Sequence, residues 1–143
     1  MHERRYLGLD VGERRIGVAL SDALGLLATP LTTLQARDRP LERIGRLVRE
    51  HGVSALVVGL PLTLRGEIGP QAESVQTFAA TLEAELGLPV HLFDERLTTV
   101  AADQMLRDLG IKPAKRKLQV DQVAAAIILQ DYLDHQRSRE SSG

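Results

Sequence analysis

An α/β fold, a mixed five-stranded sheet with helices on both faces, is what this sequence predicts, on three observations. The first third of the chain carries three strand-like stretches with a hairpin turn between the first two. From Pro40 onward, segments with helical period alternate with short apolar runs, the pattern of a partly parallel sheet. The 143 residues are 43% hydrophobic, enough for one aliphatic core and too few for a second folded unit.

Tyr6-Leu7-Gly8-Leu9 and Ile16-Gly17-Val18-Ala19-Leu20 are the first two strands. The intervening Asp10-Val11-Gly12-Glu13-Arg14-Arg15 supplies the turn. Leu26 to Leu34 contains Thr29, Thr32 and Thr33 and also Pro30, which suits an edge strand. Leu41, Ile44, Leu47 and Val48 share one helical face and stop at His51-Gly52. Ala55-Leu56-Val57-Val58-Gly59 is a buried parallel strand.

Gly69-Pro70 opens a second helix with apolar positions Ala72, Val75, Phe78, Ala79 and Leu82. Pro89 to Phe93 is the fifth strand. Thr98 or Thr99 caps a third helix carrying Ala102, Met105, Leu106 and Leu109 before Gly110. Ile111 to Lys117 has the composition of a mobile basic connection. A last helix is expected from about Leu118 to Asp134, with Val120, Val123, Ala124, Ile127 and Ile128 inward. One domain over residues 1–135 and a flexible polar tail over 136–143 are therefore expected. The order β-β-β-α-β-α-β-α-α is the RNase H-like arrangement, and order alone also admits other α/β folds.

The composition excludes several chemistries. Cysteine is absent, which removes disulfides, a catalytic thiol and thiolate zinc sites. The four histidines are scattered without ligand spacing. No stretch approaches a membrane span, and the charged start leads into a strand rather than a signal peptide, so a cytoplasmic protein with no membrane partner is expected. A net charge of −1 decides nothing about nucleic acid. Local basic clusters, Arg14-Arg15 and Lys112, Lys115, Arg116 and Lys117, have to carry that argument.

Three carboxylates lie at the edges of apolar elements. Asp10 ends the first strand, Glu95 follows the fifth, and Asp121 begins the last helix. Oxygen donors of this kind suit Mg²⁺ or Mn²⁺. Two such ions about 4 Å apart activate a water and stabilise the leaving oxygen in phosphodiester hydrolysis. Each acid also has a plainer reading: Asp10 as a turn residue, Glu95 as a surface partner of Arg96, Asp121 as a first-turn acid favoured by the helix dipole. Asp94 competes with Glu95, since neighbours in a strand face opposite ways. Asp22 fits a turn or cap, and Asp103 a solvent-facing role.

The segments that carry these acids resemble the YqgF/RuvX family. They are Tyr6-Leu7-Gly8-Leu9-Asp10-Val11-Gly12 with Arg14 to Asp22; Val57-Val58-Gly59-Leu60-Pro61 leading through Gly66 and Gly69; Phe93-Asp94-Glu95-Arg96-Leu97-Thr98-Thr99; and Asp121 to Leu133. They are ordered, correctly separated and span nearly the whole chain. That family is described as Holliday junction resolvases and, in bacteria, as nucleases maturing the precursor of 16S ribosomal RNA. Leu64 stands where the family usually has Met.

The resemblance implies an RNase H-like fold, with Asp10, Glu95 and Asp121 as metal-binding catalytic acids for two Mg²⁺ or Mn²⁺ ions. Arg14, Arg15 and Arg96 would then hold phosphates, with solvated charge as the alternative. Lys112, Lys115, Arg116 and Lys117 would grip a nucleic-acid backbone without reading bases, with a solvated loop as the alternative. Gly8 and Gly12 would let backbone approach metal or phosphate, or else serve turn geometry. The loop Leu60 to Gly69 would close over substrate beside the following helix.

The expected partners are structured RNA, the 16S precursor, or branched DNA. Symmetrical junction cutting needs two active sites and hence a homodimer. Asp10-Val11-Gly12 followed by Val18-Ala19-Leu20 also resembles the first phosphate loop of actin-like ATPases, which bind ATP between two such domains. A nucleic-acid-binding scaffold with an inactive site is the third reading, and intact carboxylates argue against it.

Overall fold

The computed structural model describes residues 4–95, 107–108, 110 and 113–142, with backbone alone for 113–119 and 140–142. Strands β1 (Tyr6–Val11) and β2 (Arg15–Ser21) form an antiparallel hairpin in which Asp10 faces Gly17 and Val11 faces Ile16. The turn closes where Gly12 N–H donates to the Arg15 carbonyl at 2.9 Å. β3 (Ala28–Gln35) adds to the outer side of β2. A bulge there leaves Leu31 as an extra residue, because Val18 pairs with Thr32 and Ala19 with Pro30.

Helix α1 (Pro40–His51) and helix α2 (Pro70–Leu86) both begin at a proline, which lacks the N–H that a first turn would leave unpaired. Both end at a left-handed glycine, Gly52 (φ 62°) and Gly87 (φ 66°). Between them β4 (Ala55–Leu60) runs parallel to β1, and after them β5 (Val90–Asp94) runs parallel to β4. Among the described residues the sheet has five strands in the order β3-β2-β1-β4-β5, the mixed RNase H-like sheet that the sequence predicts. Pro30 and its threonines do mark an edge strand.

The last helix, α3 (Pro113–Ser142), corrects the expected boundaries at both ends. Its first turns take in Lys115, Arg116 and Lys117, which read as a mobile connection. Its last turns run on through residues that read as a polar tail. A polar composition does not stop a helix, since Lys, Arg, Gln and Glu are good helix formers. Neighbours along the helix support the extension: Gln136 Nε2 donates to the Tyr132 hydroxyl at 2.8 Å, and Arg137 pairs with Asp134. The helix expected between Thr98 and Gly110 lies outside the described residues, save that Arg107 and Asp108 are helical and Gly110 has a positive φ of 73°. No helix among the described residues is long and apolar enough to cross a membrane.

Strand alternation divides the sheet into two unlike faces. Leu7, Leu9, Ile16, Val18, Leu56 and Val58 pack under α1 and α2 with Ile44, Val48, Val75, Ala79 and Leu82. The opposite face presents Gly8, Gly17, Ala19, Val57 and Gly59, and α3 lies on it through Ala125, Ile128 and Leu129. Small residues here let the helix come unusually close. A Cβ built on Gly17 would stand 1.9 Å from the Asp121 carbonyl oxygen, and one on Gly8 would stand 2.8 Å from Leu129 Cβ.

Gly17→Ala is therefore expected to cost about 1–3 kcal/mol, at the upper end because the obstacle is backbone. Gly45→Ala in α1, whose Cβ would meet its nearest neighbours at 3.4 Å, is expected to be neutral or to gain about 0.5–1 kcal/mol of helix propensity. Urea unfolding of both variants checks the contrast; equal stabilities would refute the close approach.

Candidate active site

Each of the three acids reaches the same corner by a different route. Asp10 projects from β1 on the face covered by α3, two residues beyond Gly8. Its cross-strand partner is Gly17, and over Gly17 lies the backbone of Asp121. Glu95 follows β5, its N–H donating to the Leu60 carbonyl at 3.3 Å, and its carboxylate folds back over β4. Gly59 makes that possible: a Cβ there would be 2.7 Å from Glu95 Oε2. Three glycines thus clear the space that the acids and their helix occupy.

Asp10 and Glu95 are hydrogen-bonded side chain to side chain, and both carboxyls are raised above their ordinary values. Burial, then the charge of Asp10 and their hydrogen bond, push the Glu95 carboxyl up to about 9. Asp94 adds to this through its charge while itself ending β5 in an exposed position. Burial also lifts Asp10; the hydrogen bond from Glu95 opposes that rise, and the negative charge of Asp121 adds to it. Between the two rival acids it is Glu95 that bonds to Asp10.

Asp121 is near enough for its charge to be felt at Asp10, yet its carboxylate is engaged elsewhere. Arg15 Nε donates to Asp121 Oδ2 at 2.6 Å, across from the hairpin turn. Among the described residues no three His, Cys, Asp or Glu side chains converge as ligands of one ion. The donor chemistry suits a hard divalent cation, and two of the acids already touch. The third is held by an arginine.

Polar ties that the sequence reading missed fix α3 over β3. Thr33 Oγ1 donates to Gln122 Oε1 at 3.2 Å, and Gln130 accepts from Ala28 N–H at 2.9 Å while donating to the Leu26 carbonyl at 3.0 Å. The signal for Gly17 was present, because hairpin register places it directly opposite Asp10. Gly8 lies under Leu129, and Gly12 lies against the Arg15 carbonyl at the turn. Asp22 is a turn residue, as expected, accepting from Leu26 and Leu27 N–H at 2.7 and 3.2 Å. These bonds hold its carboxyl below the usual range.

Arg14 is exposed beside Arg15 on the turn. Lys115, Arg116 and Lys117 occupy the first turns of the helix that carries Asp121. Arg96, Lys112 and Asp103 lie outside the described residues. The loop after β4 folds on itself, with Thr63 N–H donating to the Glu67 carbonyl at 2.9 Å. A cleft of about 490 Å³ separates the hairpin turn from the start of α2 and is lined by Val11, Gly12, Glu13, Pro70, Gln71, Ser74 and Val75.

Glu95 binds its proton more tightly in the folded chain than in the unfolded one, where the ordinary value is 4.5. The stability this confers is complete below 4.5 and is lost as pH rises toward about 9. In chelator, the melting temperature is expected to fall over that range, and Glu95→Gln should flatten the fall. Identical pH profiles of wild type and variant would contradict the shared proton.

Comparison with known proteins agrees with this architecture. A family model described as RuvX, Holliday junction resolvase, matches residues 4–135. A protein of Chloroflexus aurantiacus named "Putative pre-16S rRNA nuclease" is 65% identical over 140 residues, covering 96% of this chain and 92% of the relative. Proteins of the same name from Moorella thermoacetica and Geobacillus kaustophilus are 54% and 46% identical, covering 91% and 93% of this chain and 94% and 99% of their own lengths. Among solved structures, Thermus thermophilus RuvC in complex with a Holliday junction superposes with a TM-score of 0.55 at 19% identity, covering 94% of this chain and 96% of that one, a likeness of fold. The family match and these identities support nuclease activity in general terms, and the chain belongs to the RuvX family.

Proposed function

We propose that this chain is a metal-dependent endonuclease that hydrolyses phosphodiester bonds in structured RNA, the precursor of 16S ribosomal RNA, with Asp10, Glu95 and Asp121 as its metal-binding catalytic acids. The observation that carries the proposal is the half-buried, hydrogen-bonded Asp10–Glu95 pair, close enough to Asp121 for that residue's charge to act on it. Two carboxyl groups sharing a proton in a partly buried corner are costly unless a cation replaces it. Bound Mg²⁺ or Mn²⁺, two ions in this reading, would activate a water and stabilise the leaving oxygen. Asp10 and Glu95 would hold metal from the sheet and Asp121 from α3, with Glu95 giving up its proton on loading.

The basic residues extend the site. Arg14, Arg15 and Arg96 are assigned to phosphates near the acids, and Lys112, Lys115, Arg116 and Lys117 to the backbone further away. The substrate assignment rests on the names of relatives up to 65% identical. Branched DNA is the second reading, favoured by the description of the family model.

Incubation with Mn²⁺ of a labelled precursor RNA fragment and a four-way DNA junction tests both. Selective RNA cleavage supports the proposal, paired symmetrical nicks in the junction support the second reading, and cleavage of neither refutes both. Asp10→Asn is expected to lower cleavage by more than about 100-fold, beyond what loss of a supporting residue costs a metal site. Equal activity would remove Asp10 from the assignment. For binding, Lys115→Gln is expected to weaken affinity uniformly across sequences and to reduce the slope of log affinity against log salt by about 1. An unchanged slope in fluorescence anisotropy would place Lys115 away from the backbone.

A further inference from the structure

We propose that Arg15 is a positioning residue that holds the Asp121 carboxylate as a placeholder cation and yields it to a divalent metal, so that metal loading frees the guanidinium for a substrate phosphate. The inference rests on the reading of Asp10, Glu95 and Asp121 as metal ligands.

The geometry is direct. Arg15 Nε contacts Asp121 Oδ2 at 2.6 Å, and this pair spans the hairpin turn and the helix that crosses it. The Arg15 side chain is 44% exposed and that of Asp121 is 21% exposed, so solvent and ions can reach the contact. The backbone of Asp121 sits on Gly17, directly across from Asp10, which places its carboxylate on the same face of the sheet as the acid pair. One oxygen cannot serve both partners fully, because a guanidinium and a divalent cation repel each other at that distance.

The two cations differ in what they can do next. A guanidinium has donors in a planar fork that matches phosphate oxygens, so Arg15 released from Asp121 stays useful on the same surface. Arg15 leads directly into β2 and therefore pivots from a fixed base, with its backbone carbonyl tied to Gly12 N–H at 2.9 Å. Metal and phosphate then favour each other's binding through the arginine they exchange. The coupling is reciprocal by linkage.

Mn²⁺ titration followed by electron paramagnetic resonance, with protein alone, tests this on wild type, Arg15→Gln, Arg15→Lys and Asp121→Asn. An exposed ion pair is modest, so Arg15→Gln is expected to bind Mn²⁺ about two- to five-fold more tightly than wild type. Arg15→Lys, which keeps a cation, should stay close to wild type. If Arg15→Gln misfolds, Arg15→Met carries the same expectation. A second reading uses a nuclease-resistant phosphorothioate RNA hairpin: Mn²⁺ should strengthen its binding to wild type more than to Arg15→Gln.

Equal or weaker Mn²⁺ affinity in Arg15→Gln, with Asp121→Asn still lowering it, overturns the placeholder role and leaves the metal site standing. No Mn²⁺ binding that depends on Asp121 overturns the metal assignment itself, and the placeholder with it.

Discussion

The candidate active site depends on how closely α3 approaches the sheet. Helices ordinarily stand off a sheet by the length of the side chains between them, and here part of that layer is missing. Gly8, Gly17 and Gly59 come from three different strands, yet all lie on one face. A helix laid on such a surface brings its own backbone into contact with the strands, so even a short side chain such as Asp121 lies near enough for its charge to act on Asp10. With alanine at the same places the acids would be moved apart. Gln122 and Gln130 add hydrogen bonds along β3, and Leu129, Tyr132 and Leu133 add burial further along the helix.

Gathering acids in one corner creates repulsion, and the structure answers it twice. Between Asp10 and Glu95 the answer is a proton; at Asp121 it is Arg15. Both are exchangeable, unlike a buried lysine that would neutralise the site permanently. The rest of the chain supplies rigidity around this corner. Leu7, Leu9, Val18, Leu56 and Val58 lock the far side of the sheet under α1 and α2, so the strands that bear the acids have little freedom to separate.

Much of the fold was legible because its signals are local. Pro40 and Gly52 bracket α1, Pro70 opens α2, and Pro30 identifies the sheet edge without reference to anything distant. The acids were recognisable as residues ending apolar runs, but their meeting depends on register and helix placement. Position alone left Glu95 and Asp94 as rivals and the resemblance singled out Glu95, whose carboxylate lies over Gly59. The start of α3 differs from the expected one for a similar reason: charge along 113–117 says nothing about whether the backbone is coiled. Arg15 stood among the candidates for phosphate contact, while its hold on Asp121 joins residues 106 positions apart and has no trace in local sequence.

One edge of the sheet has a consequence for how copies of this chain meet. An open strand offers a row of donors and acceptors to any passing strand, which is the beginning of fibril growth. β3 interrupts that row in its middle: Pro30 has no N–H to offer, and the bulge at Leu31 breaks the even spacing that a partner would have to match. The strand still pairs inward with β2, since the irregularity is absorbed between Val18 and Ala19. A continuous sheet running from one copy into the next is thereby disfavoured on this side, and self-association through β3 has to rely on side chains rather than on a shared backbone ladder.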